Sequence, residues 1–368
     1  MTLKIGIVGA SFAKAAYLPA FKHINDIEVL AICSSRLESA KKCAEEFNIP
    51  NFYNDWQKML NQHKFDLVCI ATPTDLHAPI TIYALEKGAH ILTEKPTAMN
   101  AQEAKQMLDF AIKYNRIHMM DHELRFNPNR KKIKEWISSN MLGKIQHINI
   151  TNISNGWLDP LSRSENDWWS LESRGGGRMG ANGSHQVDLL RWWCGEVKSV
   201  FGQALTIVKD RLDKNSKQKW KATADDLSYF TLEMDNGVLA NVFMSGVACH
   251  VLGNKTQIFG TEGTVILEDK NEEIWLARKN DEFKNDIVEL EKIFQNVGLC
   301  EKILRVTDRV ITKYLEDSAV ESEVEESNTA HNFFSNNVYS NEMLKIIDRK
   351  ISQESEEIDY IKKTISGL

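Results

Sequence analysis

The sequence predicts two domains, an α/β domain with a parallel sheet followed by an α+β domain with an open, mostly antiparallel sheet. Three observations support this prediction. The first 121 residues alternate short runs rich in Ile, Val and Leu with segments of helical periodicity, which is typical of a parallel sheet covered on both faces. After about residue 123, long strand-like runs follow one another with few helices between them. The length of 368 residues also fits two domains, which we place at residues 1–122 and 123–368.

In the N-terminal domain, short β-branched runs predict strands, and apolar residues that recur about every 3.6 positions predict helices. The predicted strands are Ile5–Val8, Glu28–Cys33, Leu67–Ala71, His90–Thr93 and Ile117–Met120. The predicted helices are Leu37–Phe47, Ala78–Lys87 and Ala101–Tyr114.

In the C-terminal domain, long strand-like runs dominate. The predicted strands are Ile145–Ile153, Val197–Val208, Leu227–Met234, Val238–Val247, Lys255–Phe259 and Thr264–Leu267. The predicted helices are Arg130–Ser139, His185–Trp193, 284–315 and 334–353, the last a candidate for packing back on the first domain. The Lys-rich segment Lys209–Lys221 and the acidic segment Glu316–Glu326 are predicted as solvated loops.

Composition narrows the class of partner. The net charge of −6 lacks the basic excess of a nucleic-acid binder. The longest uncharged stretch, Gly237–Gly253, is shorter than the ~20 apolar residues of a membrane span. The six Cys are thinly spread, as in a reducing compartment. We therefore expect a cytoplasmic protein that binds neither nucleic acid nor membrane.

A metal site is not expected either. No two Cys form a C-x-x-C pair. His118 and His122 have a spacing that suits metal ligands on a helix, but they lie in a predicted strand.

The first strand runs into a turn that suits the pyrophosphate of a dinucleotide. Gly9 allows a tight turn, and the residues after it, Ser11, Phe12 and Ala13, open a helix whose N-terminal N–H groups attract phosphate. Only the first glycine of the G-x-G-x-x-G pattern is present, so the signal depends on its place before the alternating strands and helices.

The end of the second strand discriminates between cofactors. An acidic residue here would hold the ribose 2′-hydroxyl of NAD. This sequence has Ser34, Ser35 and Arg36 instead, which suit a 2′-phosphate because a guanidinium offers paired, charged donors. We therefore expect NADP, with NAD as the alternative.

Two motifs carry candidate catalytic groups. Glu94, Lys95 and Pro96 end an apolar strand, and ligands bind beyond the carboxyl ends of strands in open parallel sheets. Further along, a triple glycine precedes His185, which shares one helix face with Asp188, a candidate for orienting the imidazole.

With these motifs the sequence resembles the Gfo/Idh/MocA family (glucose–fructose oxidoreductase / inositol dehydrogenase) of NAD(P)-dependent sugar dehydrogenases. The resemblance runs from the N-terminus to about residue 264. It is carried by the Gly9 loop, Leu18-Pro19-Ala20, Ala71-Thr72-Pro73-Thr74 with His77, Glu94-Lys95-Pro96, Arg125-Phe126-Asn127-Pro128, Leu142-Gly143-Lys144-Ile145, Gly175-Gly176-Gly177 with Gly183-Ser184-His185, and Gly260-Thr261-Glu262-Gly263-Thr264.

The resemblance implies a Rossmann N-terminal domain and an α+β C-terminal domain whose open sheet face forms a homodimer or homotetramer. It implies that Lys95 and His185 are the active-site lysine and histidine. It also implies that Thr72 and Pro73, with His77 in the same motif, lie near the nicotinamide ribose, and that Glu94 and Lys95 flank the nicotinamide half of the cofactor.

One position departs from the family pattern. Many members carry an Asp four residues before the histidine, where this chain has Ala181. The neighbouring Asn182 is not an acid. The assignment of acid and base is therefore left between Lys95 and His185.

The substrate is expected to lie against residues from the second domain. Besides Lys95 and His185, the candidates are Arg125, Trp168, Trp169 and Asn182, and Trp157 lies on the same approach to the triple glycine. Indole faces pack well against the C–H faces of sugars. Trp192 and Trp193 follow His185 on its helix and are expected in the core.

These observations predict an NADP(H)-dependent oxidoreductase that acts on a secondary alcohol of a sugar or sugar derivative, with His185 as proton relay and Lys95 polarising the reacting oxygen, or the reverse. One alternative is a dehydrogenase of a nucleotide-linked sugar in surface polysaccharide synthesis, with Arg163, Arg174 and Arg178 near the phosphates. Another is a non-catalytic NADP-binding sensor or scaffold.

Overall fold

The computed structural model describes residues 2–165, 167–214, 216–251, 253–268, 273–279, 281 and 288–289. The predicted loop Glu316–Glu326 and helix 334–353 lie outside the described residues. So does the predicted helix 284–315, apart from Val288–Glu289, which forms a short strand.

The N-terminal domain contains a six-stranded parallel sheet with the order β3-β2-β1-β4-β5-β6. Its strands are β1 Leu3–Val8, β2 Ile27–Cys33, β3 Asn51–Tyr53, β4 Leu67–Ile70, β5 His90–Glu94 and β6 His118–Asp121. The five predicted strands are confirmed, with their ends shifted by two residues at most, and the three-residue β3 is an addition.

Helices cover both faces of this sheet. They are α1 Ala10–Phe12, a π-helical segment Ala13–Tyr17, α2 Leu18–Phe21, α3 Leu37–Phe47, α4 Trp56–Gln62, α5 His77–Glu86 and α6 Ala101–Lys113. In β1, Ile5 and Ile7 pack against one helical layer, while Val8 packs against the other. Because both faces of the sheet are buried, the sequences of these strands are continuous apolar runs.

The C-terminal domain contains an eight-stranded sheet in the order β16-β15-β14-β13-β7-β12-β11-β8. Its strands are β7 Ile145–Ile153, β8 Val197–Leu205, β11 Leu227–Met234, β12 Leu239–Ser245, β13 Gly253–Gly260, β14 Gly263–Glu268, β15 Glu273–Arg278 and β16 Val288–Glu289. Neighbours pair antiparallel except β7 and β12, which are parallel. The expected open, mostly antiparallel sheet is confirmed.

One face of this sheet packs under the helices α7 Pro128–Ser138 and α8 Ser184–Cys194. The other face is exposed, and along β8 it presents Phe201, which is 73% exposed. None of the helices within the described ranges is both long and apolar enough to cross a membrane.

The segment Lys209–Lys221 corrects one expectation. It forms a two-stranded hairpin, β9 Asp210–Leu212 with β10 Lys219–Lys221, rather than a solvated loop. Arg211 is only 1% exposed, lies 3.6 Å from the Asp226 carboxylate and donates to the carbonyl oxygen of Trp157 at 3.1 Å. The packing is hard to see in the sequence because the buried residue of β9 is the charged Arg211, and the buried Trp220 of β10 lies between the exposed Lys219 and Lys221.

Candidate active site

The candidate site lies where three neighbouring parallel strands end. Thr72 and Pro73 follow β4, Glu94 ends β5 with Lys95 directly after it, and Glu123 comes two residues after β6. Because β4, β5 and β6 are adjacent and parallel, their carboxyl ends share one edge of the sheet. Sequence motifs separated by some 50 residues are thereby brought together, at the edge where open α/β sheets bind ligands.

The turn after β1 leaves room for a phosphate at the same edge. Gly9 has a φ of +113°, and a Cβ there would lie 2.1 Å from the carbonyl oxygen of Ala71. Only glycine lets this turn pass so close to the end of β4. Ser11 and Phe12 lie in the helical segment that follows this turn, and the Ala13 N–H donates to the carbonyl oxygen of Ala10.

The loop after β4 also fits a dinucleotide. The hydroxyl oxygen of Thr72 is buried and has no hydrogen-bond partner among the described residues, as expected of a group that awaits a polar ligand. The imidazole of His77 lies 3.0 Å from the carbonyl oxygen of Thr72 and 2.8 Å from that of Pro96. Since His77 is 1% exposed, it acts on the site by holding these two loops together.

At the outer end of the sheet, the residues expected to select the cofactor are accessible. Ser34 is half-buried after β2, while Ser35 and Arg36 are exposed. Arg36 is the residue before α3. Its side chain is therefore able to meet a ligand that lies along the carboxyl edge.

Two buried acids lie beneath Lys95. Glu94 of β5 is paired in register with Asp121 of β6, and Tyr17 donates to Glu94 Oε1 at 2.9 Å. Burial, and to a lesser degree the charge of Glu123, raises the pKa of Glu94 to about 7, against the lowering effect of Lys95. Burial and the neighbouring Glu94 also raise the pKa of Asp121 well above its usual value. This pair therefore holds protons at pH values where carboxyl groups normally release them.

A cavity of about 470 Å³ opens above these strand ends, between the two domains. Its wall includes both predicted catalytic residues and two of the predicted substrate residues. The lining residues are Lys95, Glu123, Leu124, Arg130, Asn152, Trp169, Ala181, Asn182, His185, Gln186 and Asn254.

The aromatic wall of the cavity depends on the triple glycine. Trp168 and Trp169 stack with ring centroids 4.0 Å apart, and Lys95 Nζ lies 6.0 Å from the Trp169 ring centroid. A Cβ on Gly176 would lie 2.4 Å from the carbonyl oxygens of both tryptophans. The glycine thus lets the loop close against the pair and fixes Trp169 at the cavity, with Trp168 behind it.

His185 lies in the first turn of α8, and its imidazole is buried against the first domain. Its Nε2 is 3.7 Å from Glu123 Oε2. The His122 ring packs edge-on against it, with ring centroids 5.6 Å apart. Burial lowers the pKa of His122, and Lys95 and Arg125 add to this lowering, which favours the neutral form of His122.

Asp188 does not orient His185, contrary to the expectation from their spacing. Both of its carboxylate oxygens accept from Arg125, each at 2.7 Å. Arg125 in turn lies over the Trp192 ring, 5.8 Å from its centroid. Neither Arg125 nor Asp188 is among the described residues that line the cavity. Their bidentate pair therefore packs outside the cavity wall.

Trp157 was expected near the pocket and lies elsewhere, whereas Trp192 and Trp193 lie in or against the core, as expected. Trp157 is 5% exposed, and the Arg163 guanidinium lies 4.5 Å from its ring centroid, so it packs within the second domain instead of facing the cavity. Trp193 is buried in the core and donates to the carbonyl oxygen of Arg130 at 3.2 Å. Trp192 packs at the edge of that core, as expected.

Each of the three arginines near the triple glycine contacts an acidic or amide side chain. Arg163 lies 2.9 Å from Asp167, and Arg174 lies 2.6 Å from Asp75 of the first domain. Arg178 is buried and donates to the side-chain oxygen of Asn152. Each guanidinium therefore already has a protein partner.

Sequence reasoning did not assign a role to several cavity residues. Glu123 comes two residues after the end of β6, near the edge that signals a ligand site in this fold class, but its approach to His185 joins residues that are far apart in the sequence. Asn152, Gln186 and Asn254 lie on β7, α8 and β13, and no local motif marks them.

The fold and this edge define an oxidoreductase of the dinucleotide-dependent class, and comparison with known sequences gives the family. The model described as "Oxidoreductase family, NAD-binding Rossmann fold" matches residues 3–122, and the model of the Gfo/Idh/MocA C-terminal domain matches residues 131–266. Together they cover more than half of the chain, which belongs to the Gfo/Idh/MocA oxidoreductase family.

Four comparisons show what the chain is similar to. D-glucoside 3-dehydrogenase of Escherichia coli is 29% identical over 64% of this chain and 68% of that protein. Levoglucosan dehydrogenase of Pseudarthrobacter phenanthrenivorans is 27% identical over 76% and 77%. A levoglucosan dehydrogenase structure in complex with NADH and L-sorbose has a TM-score of 0.76 at 24% identity, covering 85% of this chain and 90% of that one. The WlbA dehydrogenase of Bordetella pertussis, in complex with NADH and UDP-GlcNAcA, has a TM-score of 0.64 at 22% identity, covering 73% and 78%.

Proposed function

We propose that this chain is an NADP(H)-dependent oxidoreductase that moves a hydride to or from a secondary alcohol of a sugar or sugar derivative. One observation carries the proposal: Lys95, from the end of a parallel strand, and His185, from a helix of the second domain, line the same cavity of about 470 Å³. That volume is within the ~300–1,000 Å³ typical of small-molecule sites. Residues 1–122 would bind the cofactor and residues 123–368 the substrate.

The nicotinamide, when bound, supplies the hydride chemistry. The chain must then manage one proton and the charge on one oxygen. A histidine has an ordinary pKa close to neutral, so His185 is suited to take the hydroxyl proton or return it. The Lys95 ammonium is suited to stabilise the alkoxide that develops on the reacting oxygen.

The cavity wall suits a sugar. The Trp169 indole offers an apolar face for ring C–H groups. Asn152, Asn182 and Asn254 offer amide groups that both donate to and accept from hydroxyls. Arg125 and Trp168 stand one layer back, so we assign them a supporting role in the pocket.

The proposal that the cofactor is NADP is supported by Ser34, Ser35 and Arg36 at the end of β2. Arg36 is exposed there, and no acid takes the place that favours a 2′-hydroxyl. The Gly9 turn is suited to the pyrophosphate and the buried Thr72 hydroxyl to a polar group of the nicotinamide half.

We also propose a homodimer or homotetramer that forms through the exposed face of the second sheet. That face carries Phe201 of β8 and Phe243 of β12, which are 73% and 40% exposed, and exposed apolar patches mark interfaces. Phe201→Asp is expected to reduce the molar mass measured by light scattering. A cytoplasmic location is supported by the free Cys33, Cys43, Cys69, Cys194 and Cys249.

The WlbA-like fold raises a second candidate, a nucleotide-linked sugar as substrate. The engaged arginines weigh against it. Arg163, Arg174 and Arg178 would each have to leave an acid or amide partner to bind a diphosphate.

The test is a titration of the enzyme with NADP and NAD, followed by a substrate panel monitored by nicotinamide absorbance. The panel includes levoglucosan, D-glucosides, inositols and UDP-sugars. We expect tighter binding of NADP and turnover of a free sugar or polyol. Equal affinities would contradict the NADP assignment, turnover of UDP-sugars alone would favour the second candidate, and binding without any turnover would favour a sensor or scaffold.

A further inference from the structure

We propose that Glu123 is the positioning acid of this site: its carboxylate orients the imidazole of His185 and stabilises the proton that His185 takes from the substrate. The inference rests on the proposed function, because it concerns the same cavity and the same histidine.

The geometry of the pair supports the proposal. Glu123 Oε2 lies 3.7 Å from His185 Nε2, and the two side chains are only 10% and 7% exposed. At this separation and burial, water screens a carboxylate–imidazolium pair weakly, so the interaction is stronger than it would be at the surface. Glu123 lies in the short 3₁₀ turn Glu123–Phe126 that follows β6, at the start of the second domain, and His185 lies at the start of α8.

The wall offers no equivalent acid. Among the described residues that line the cavity, Glu123 is the one carboxylate. Ala181 lies in the same wall, four residues before His185, and its methyl group cannot accept a proton. Asp188, which the spacing suggested for this role, is held by both of its oxygens to Arg125.

Charged groups face the pair from every side. Lys95 and Arg130 line the cavity with it. His122 packs against His185, and burial favours its neutral form. Glu94 and Asp121 lie behind Glu123, and burial favours their protonated forms. Glu123 is therefore the carboxyl group of this cluster that lies directly against His185.

The proton step is simple. In alcohol oxidation the substrate's C–H bond breaks and its two electrons leave as hydride to the nicotinamide, while the hydroxyl proton moves to an imidazole nitrogen of His185 and a C=O bond forms. The imidazole becomes an imidazolium. A carboxylate 3.7 Å away stabilises that charge, and in the reverse direction it keeps the proton available.

The first experiment measures the His185 proton directly, without a substrate. The enzyme with ¹³C-labelled histidine is titrated by NMR, and the His185 signal is assigned by its loss in His185→Asn. Glu123→Gln is expected to lower the His185 pKa by about one unit, because an opposite charge nearby is lost. Glu172→Gln, which neutralises an exposed acid, is expected to leave it unchanged. An unchanged pKa in Glu123→Gln would overturn the proposal.

The second experiment tests whether Glu123 acts through His185. With the best substrate of the panel, Glu123→Gln is expected to lower kcat about 10- to 100-fold and to move the pH dependence of kcat/KM to lower pH, whereas Glu123→Asp should retain part of both. In a His185→Ala background, Glu123→Gln should cost less than threefold, since neighbours that act as a unit are not additive. A full loss in that background would contradict the pairing.

Different results would contradict the proposed function of His185 and the proposed role of Glu123. If His185→Ala alone keeps near wild-type turnover, the proposed function of His185 is wrong. If His185→Ala is inactive but Glu123→Gln changes neither kcat nor the titration, only the role of Glu123 is wrong. Should Glu123→Gln fail to fold by circular dichroism, Glu123→Asp is expected to shift the His185 pKa in the same direction by a smaller amount, and no shift would overturn the proposal.

Discussion

The two ends of the carboxyl edge of the parallel sheet differ sharply in construction. At the β2 end, Ser35 and Arg36 are exposed. At the β5–β6 end, Glu94, Asp121 and Glu123 are buried, and Tyr17 donates to Glu94. The same edge thus has an open end, suited to recognising a cofactor group, and a closed end, suited to chemistry.

The difference in exposure between the two ends determines where a substitution is tolerated. A solvated side chain such as Arg36 can be replaced with little effect on folding, because it contributes few packed contacts. A buried acid cannot be removed so simply, since its neighbours are then left without partners. Substitutions at the open end should therefore alter selectivity, and those at the closed end should alter turnover or stability.

The largest effect on turnover is expected from a substitution at the closed end. His185→Ala should lower kcat about 10²–10⁴-fold, the contribution typical of a general acid–base group, while the affinity for NADP stays within about twofold. Steady-state kinetics and a fluorescence titration of NADPH measure the two quantities. His250→Ala, which changes an exposed histidine, is the matched control and should keep full activity. Loss of cofactor affinity in parallel with kcat would show that His185 serves the fold rather than the reaction.

A substitution at the open end should change the selectivity between NADP and NAD. Arg36→Asp is expected to lower the ratio of NADP to NAD in kcat/KM about 10- to 100-fold, because it replaces a donor for the 2′-phosphate by an acceptor for the 2′-hydroxyl. Its melting temperature should change little. Lys41→Asp makes the same charge change further along α3 and should leave the ratio nearly unaltered. An unaltered ratio in Arg36→Asp would remove the basis for preferring NADP.

The buried acids should make stability depend on pH. The unfolded chain releases the Glu94 proton near its ordinary pKa of 4.5, while the folded protein keeps it to about 7. Between these values the unfolded state binds fewer protons, so the free energy of unfolding falls as pH rises and then levels with respect to this group.

Glu94→Gln keeps an acceptor for Tyr17 and removes the titration. The decline in unfolding free energy between pH 5 and pH 8 should therefore be smaller than in the wild type, by about 1–3 kcal/mol. Urea unfolding at both pH values measures it, with Glu86→Gln as an exposed control. An identical decline in Glu94→Gln would mean that Glu94 is ionised in the folded protein.

The smallest effect is expected between the domains. Arg174 bonds Asp75 across them at 2.6 Å, but the two side chains are 38% and 26% exposed. Arg174→Ala should therefore cost at most about 1 kcal/mol of unfolding free energy. Arg191→Ala removes a comparable pair with Glu196 inside one domain. If Arg174→Ala also raises the KM for NADP while Arg191→Ala does not, the contact between Asp75, after β4, and Arg174, before the triple glycine, also supports cofactor binding.

The fold was largely predictable because its strands are long and strongly patterned. In β11, buried and less buried residues alternate along all eight positions, and the predicted bounds Leu227–Met234 are those observed. Among the elements that were not predicted are β3 with three residues, α4 with seven and β15 with six. The hairpin around Arg211 escaped because its burial depends on Asp226, which a local pattern does not reveal.

The candidate site was predictable where motifs carry it. Lys95, Trp169, Asn182 and His185 meet in one cavity, as expected from the strand end and the triple glycine. The pairing of side chains was not predictable. Asp188 shares a helix face with His185, yet it bonds Arg125, while Glu123 approaches His185 from the turn after β6, far away in the sequence.

We propose that Lys95 and His185 perform the chemistry of the cavity, while other residues of the first domain provide most of the affinity for the cofactor. Lys95→Met tests it most directly, in one titration with NADPH and one assay of sugar-dependent nicotinamide absorbance. We expect Lys95→Met to bind NADPH within about twofold of the wild type and to show turnover lowered about 10²–10³-fold, the loss expected for one oxyanion-stabilising group. Near wild-type turnover in Lys95→Met would contradict it.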